Sequence, residues 1–269
     1  SPELGDVECA SRIIERFASR AFRRPVAQRQ LDQLVGLYQL ARDQGDAHEP
    51  ALRVALTAVL VSPHFLFLVE EDRVAPDGGG SSPVSDHELA ARLSYFLWSS
   101  TPDEELLALA SAGKLREPEI IRQQITRMLA DGRSSALVDN FAGQWLELRN
   151  LYEVEPDPKK FLSFNQKLRT AMRREAELFF ESVIREDRSI IELLDADWTM
   201  VNDVLAAHYG LADVQGPEFR RVSLAGTPRG GVVTMAGVLT VTSNPTRTSP
   251  VKRGKYVLEQ LLGAAPPPP

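Results

Sequence analysis

A single cysteine, Cys9, stands in 269 residues, and that scarcity removes several chemistries at once. With one thiol the chain can close no internal disulfide, build no Cys-x-x-Cys zinc knuckle and attach no haem through a Cys-x-x-Cys-His motif. Cys9 itself reads as a small packing residue on a helix, with pairing to another chain as the alternative. Histidine is nearly as sparse. His48, His64, His87 and His208 include no pair at i, i+4 and no His-x-x-Glu spacing on a helix, so no metal site is expected. His48 and His87 are expected to face solvent, whereas His64 at a helix break and His208 at a helix end could reach a site. Gly-x-Ser-x-Gly, Walker and dinucleotide fingerprints are missing as well, and Gly78 to Gly80 neither follows a strand nor supplies a lysine that grips phosphate. Gly230 and Gly231 read as a plain turn. The most apolar run, Val54 to Val61, is broken by Ser62, Pro63 and His64, too soon to cross about 30 Å of hydrocarbon, so no membrane span is expected.

What remains is an ordinary globular composition, 43% hydrophobic and 25% charged. The length suffices to bury about three quarters of the unfolded surface in one large or two ordinary domains. A net charge of -6 argues against nucleic acid as the partner. The chain opens SPELGD, without Met or a signal-peptide pattern, and closes in prolines, so an excised or processed segment is expected.

Caps joined to helical apolar stripes recur from end to end, which predicts an all-α fold, a multi-helix orthogonal or bundle-like array with at most a minor β element near 216–242. Four parts are expected: a three-helix module over 1–75, a linker or long loop over 76–84 (Pro76 to Pro83 reads PDGGGSSP), a central helical domain over 85–215, and the start of a third domain over 216–269. In the first, helices are expected from about Glu8 to Arg24, ended by Pro25, from Gln28 to Asp43, and from near Pro50, the last apolar almost all round and therefore central. In the second, Ser85 and Glu88 match a capping box for Asp86 to Trp98, with Leu89, Leu93, Phe96 and Leu97 inward, and Thr101 with Glu104 repeats the device. Further helices are predicted over Pro118 to Ala130 and Ser135 to Leu148, the latter anchored by Trp145. Ile190 to Leu194 and Trp198 to His208 read as two short helices, Arg220 to Leu224 as a strand, and Val232 to Val241 as ambiguous.

The longest helix is expected from caps at Ser163 and Gln166 to Glu186, with Leu168, Ala171, Met172, Leu178, Phe179, Ser182 and Val183 inward. At 100° per residue Glu175 falls in the middle of that stripe. A carboxylate there must be paired, hydrogen-bonded or protonated, because burying the bare charge costs too much. Glu175 is therefore the candidate for a perturbed pKa, and an ion pair with a buried arginine is the expected partner. Acidic runs such as Asp103-Glu104-Glu105 sit at helix starts, where they favour the dipole, and no catalytic constellation can be named.

Near the end, Val241 to Tyr256 reads VTSNPTRTSPVKRGKY. Ser249 and Pro250 start a helix that should run to Leu262 and stop at Gly263. Its first turn carries Lys252, Arg253 and Lys255, close after Arg247, at an end where the dipole is already positive. Either this end is solvated or these four residues meet an anion or a docking partner, the anion being a carboxylate from elsewhere in the chain, a phosphate or a cofactor's acid group.

The run TSNPTRTSPVKRGKYVLEQLLG with its prolines, together with RAFRRP at Arg20 to Pro25 and DADWTMVNDVLAAHYGL at Asp195 to Leu211, resembles the large multidomain cytochrome c proteins of planctomycetes and myxobacteria, over nearly the whole chain. The resemblance implies uncharacterised helical domains preceding a haem-bearing one, export to the periplasm or cell surface, and haem c on the adjoining portion, with no cofactor held here. The function so implied is an electron-transfer-associated part that supports or docks the haem domain, in the same protein or a companion chain. A scaffold or interaction module without a redox role is the alternative, and an independent hydrolase is weakest because no nucleophile and base pair is present.

Overall fold

The computed structural model describes residues 5–70, 83–265 and 267. The fold is all-α: helices carry both of the compact units into which the chain divides, Ser1–Met128 and Leu129–Pro269. Among the described residues only two small antiparallel sheets occur, and no helix is long and apolar enough to cross a membrane. The linker expected over 76–84 lies almost wholly outside the described residues.

In the first unit, helices Asp6–Ala21, Gln28–Asp43 and His48–Leu60 share one core. Ala10, Ile14 and Ala18 recur at four-residue spacing, as do Ala51, Ala55 and Val59, all fully buried. These small seams let the two backbones come close, while Leu31, Leu34 and Tyr38 of the middle helix fill the space between them. The third helix is thus not central. Its seam is narrow, and Val54 and Leu60 are more than 40% exposed.

The first helix ends at Ala21 rather than at Arg24, because Arg23 turns to φ 60. That turn buries the Arg23 guanidinium against carbonyl oxygens of the next connection. It donates to His64 O at 2.6 Å and Phe67 O at 2.8 Å, and to Tyr95 Oη at 3.1 Å. A cation answering several otherwise orphaned carbonyls holds the short Pro63–Leu66 helix in place.

The Asp86–Trp98 helix starts on the expected capping box of Ser85 and Glu88. Its inward face is Ala90, Ala91, Ser94, Leu97 and Trp98, and Phe96 is exposed, a rotation from the predicted face. Asp103, not Thr101, caps Glu104–Ser111, accepting from Leu106 N at 3.0 Å. Asp103 also pairs with Arg127, whose guanidinium lies 5.5 Å from the Trp98 ring, so the helix Pro118–Ala130 is tied to its two predecessors by one cation.

The second unit is organised around the 20-residue helix Gln166–Arg185, capped by Asn165 rather than Ser163. Against it pack the 3-10 turn Leu148–Tyr152, the strand Trp198–Val201, and the helices Asp203–Tyr209 and Ala236–Val241. Trp198–Val201 is a strand where the sequence pattern predicts the start of a helix. It pairs antiparallel with Arg220–Ser223, Trp198 opposite Ser223, because an aromatic and β-branched run beside a partner strand fits a pleated surface better than a helix end. The other sheet is a tight hairpin of Ser243–Asn244 with Arg247–Thr248, so β structure also falls outside 216–242.

The helix predicted over Ser135 to Leu148 is broken. A π-helical turn at Val138–Ala142 inserts an extra residue, and Glu147 adopts φ 54. The insertion rotates the stripe, so that Leu146, Leu148 and Leu151 are buried while Phe141 is exposed. Trp145 is only half-buried. Its indole N–H donates to Gln260 O at 2.6 Å, in a second π-helical turn, Val257–Leu261, that continues Pro250–Tyr256.

Candidate functional site

Phase places Glu175 inward, four residues from Ala171 and Phe179, and it is 0% exposed. The expected arginine ion pair is replaced by hydroxyls. Thr199 on the strand donates to Oε1 at 2.7 Å, and Tyr209 at the end of its helix donates to Oε2 at 2.6 Å. Tyr209 Oη in turn accepts from Ala236 N at 2.7 Å, which fixes the direction of its own proton toward the carboxylate. One side chain therefore links the central helix, the strand and the start of Ala236–Val241.

Burial pushes Glu175 up to about 7, against the two hydroxyl bonds and the positive charge of Arg229, which favour the ionised form. Burial and the nearby carboxylate hold Tyr209 far above the usual phenol range, so it remains a donor. The space between Glu175, Thr199, Tyr209 and Arg229 leaves no room for a water-sized guest. Glu175 thus sits in a closed polar network where burial favours its neutral form more than water does.

Arg229 is where this network meets the protein's accessible surface. Its guanidinium stacks 3.9 Å from the Tyr209 ring centroid and donates to Thr234 O at 2.8 Å. The loop that carries it turns at Gly231, with φ 59 and ψ -177, where an added Cβ would stand 2.3 Å from Leu194 C and O. Only glycine allows so close a backbone approach.

On its other side Arg229 lines a cavity of about 310 Å³ together with His208, Arg247 and Arg253. Phe161, Phe164, Leu168, Met172 and Leu239 supply apolar wall, and no Asp or Glu lines it. Among the described residues no ion pair joins these three arginines to a carboxylate. Arg253 reaches Ser243 Oγ only at 3.5 Å, and its Nε is buried without a partner. Burial, with Arg229 adding to it, lowers the His208 pKa and so favours the neutral ring.

Of the four basic residues singled out in the sequence, the structure brings Arg247 and Arg253 into this cavity and leaves Lys252 and Lys255 outside it. Lys252 Nζ lies 3.4 Å from Ser243 O, and Lys255 Nζ 3.6 Å from Glu259. Arg229 lines both the closed network and the cavity, and the sequence pattern does not single it out. Its one local signal is the Gly230-Gly231 pair beside it, which does more than make a plain turn. His48 and His87, expected in solvent, are half-buried, next to Tyr38 Oη at 2.9 Å and Ser111 Oγ at 3.1 Å. Among the described residues no cluster of three His, Cys, Asp or Glu could hold a metal ion.

Three family models match along the chain. Residues 9–70 match PSD5, described as a protein of unknown function (DUF1595). Residues 84–211 match PSD4, a protein of unknown function (DUF1592), and residues 229–269 match PSCyt3, a protein of unknown function (DUF1588). The chain is thus similar to three families in succession, and their names suggest domains associated with cytochrome c proteins. No curated protein and no solved structure matches it.

Proposed function

We propose that this chain is the helical, non-haem portion of an exported multidomain cytochrome c-type protein, acting at the periplasm or cell surface, and that its basic C-terminal segment docks the haem-bearing portion. The observation that carries the reading is the charge left over around Pro250–Tyr256. In a chain of net charge -6, Arg247, Lys252 and Lys255 are all exposed. Among the described residues, the carboxylate nearest to any of them is Glu259, at 3.6 Å from Lys255. An acidic surface, such as one carrying haem propionates, complements them. The succession of family models ending in PSCyt3 supports the same reading. Cys9 alone cannot form a Cys-x-x-Cys-His site, so this chain does not fit covalent haem, and its role is to position a neighbour that carries it.

Lys252→Glu with Lys255→Glu is expected to leave the fold intact, because both side chains are exposed. It should weaken binding to the separately produced haem-bearing portion by roughly ten-fold at low salt, and by less above about 0.15 M, where the Debye length falls to about 8 Å. Isothermal titration across a salt series measures it. Equal affinity of the variant and the parent at low salt removes the docking role, and a full-length polypeptide whose absorption spectrum lacks haem c bands removes the cytochrome assignment.

A further inference from the structure

We propose that the cavity lined by Arg229, Arg247, Arg253 and His208 binds a small organic acid, its carboxylate held by the arginines and its apolar body against Phe161, Phe164 and Leu239. The cavity is lopsided in chemistry. Its volume of about 310 Å³ is at the low end for small-molecule sites, and its walls follow the usual pattern of apolar lining with a few convergent polar groups. All of its charged lining is positive. Three guanidinium groups around one space repel each other unless an anion or solvent lies between them.

Arg253 gives the sharper indication. A buried donor left unmade costs on the order of 1–3 kcal/mol, and Arg253 Nε is such a donor, on a side chain whose one hydrogen bond among the described residues is at 3.5 Å. A carboxylate in the cavity would supply acceptors to the terminal guanidinium nitrogens in the paired geometry that arginine favours, and a shift of the side chain toward it would free Nε from its unpartnered place. Arg229 is already oriented by Thr234 O and the Tyr209 ring, so it meets a ligand with little further ordering. Inorganic phosphate has the charge but would leave the Phe161, Phe164 and Leu239 wall uncovered, and a neutral apolar molecule would leave the arginines uncompensated. An acid with an aromatic or aliphatic body answers both.

Arg247 belongs both to this cavity and to the docking charges, but Lys252 and Lys255 do not line it, and absence of a haem-bearing partner would leave the site standing. The test uses the intact chain and titrates phenylacetate, hexanoate, phenylacetamide and inorganic phosphate by calorimetry, with the thermal midpoint as a second readout. At least one of the two acids should bind and raise the midpoint, with phenylacetamide and phosphate roughly ten-fold or more weaker. Arg253→Gln should lose roughly ten-fold in acid affinity while Lys252→Glu with Lys255→Glu keeps it. Should Arg253→Gln be poorly folded, Leu239→Trp, which narrows the apolar end, must weaken the acids without changing phosphate. Binding of the amide as tightly as the acid, binding of phosphate as tightly as phenylacetate, or no binding of either acid at millimolar concentration overturns the proposal.

Discussion

Glu175→Ala should lower the stability of the Leu129–Pro269 unit by about 3–5 kcal/mol at pH 5, because it strands two buried hydroxyls and opens a void beside them. Thr199 and Tyr209 both donate to this carboxylate, and the space around it in the parent has no room for a water that could share those bonds. Glu175→Leu should cost less than Glu175→Ala, since it refills the volume. Glu175→Gln keeps an acceptor oxygen and should lie nearest the parent. The parent should also carry a pH signature that the Gln variant does not. Its folded pKa of about 7 stands above the ordinary 4.5, so the neutral acid is the form that folding favours. The associated stability is fully present below about pH 4.5 and is lost as pH rises through 7. At about 1.36 kcal/mol for each pH unit separating the two values, the parent loses about 3 kcal/mol relative to Glu175→Gln over that window. Urea unfolding of both proteins from about pH 4.5 to 8 reads this difference directly, and a gap that stays constant or grows in favour of the parent would mean Glu175 folds as the anion.

Gly231→Ala is expected to be nearly as damaging, at about 3–5 kcal/mol, from a conformation with φ 59 and ψ -177 that disfavours any side chain and from a Cβ placed 2.3 Å from the Leu194 carbonyl. Gly226 provides the control. It too has positive φ, 78, but nothing lies within 4 Å of an added Cβ, so Gly226→Ala should cost about 1 kcal/mol. The thermal midpoint should fall by about 10 °C for the first variant and by a few degrees for the second. Equal small shifts would show that the loop can relax away from Leu194. Because Gly231 is two residues from Arg229, a folded remnant of Gly231→Ala should also bind acids more weakly than the parent.

The all-α fold and the inward turn of Glu175 are legible in the sequence because both follow from local periodicity. Ser85 with Glu88, and Ser249 with Pro250, mark helix starts that the structure keeps, and a 20-residue helix gives enough turns for the phase of one position to be secure. Features resting on distant partners are not legible. Trp198 to Val201 continues a plausible helical pattern, and only pairing with Arg220–Ser223 makes it a strand. The π-helical turn at Val138–Ala142 changes no residue type, so nothing local announces the rotation that exposes Phe141 and buries Leu146. Phe96 misleads because its apolar side chain favours an inward assignment, while Ala90, Ala91 and Ser94 hold the close contacts. At Glu175 the expected arginine is present, but not as a contact partner. Arg229 acts there through its field and stacks on Tyr209 instead, an arrangement set by a loop whose path depends on Gly231.

The bond from the Trp145 indole to Gln260 O spans 115 residues of chain. Closing a loop of that length costs more chain entropy than the local contacts of a three-helix core, so the contact is expected to form after that core. During synthesis the ribosome must release residue 260 before the second unit can be sealed, whereas the three-helix core of Asp6–Ala21, Gln28–Asp43 and His48–Leu60 can assemble as soon as its own residues emerge. The segment around Gln260 is therefore the clasp of this unit, and a nascent chain stalled ahead of it exposes the half-buried face of Trp145 for as long as the stall lasts.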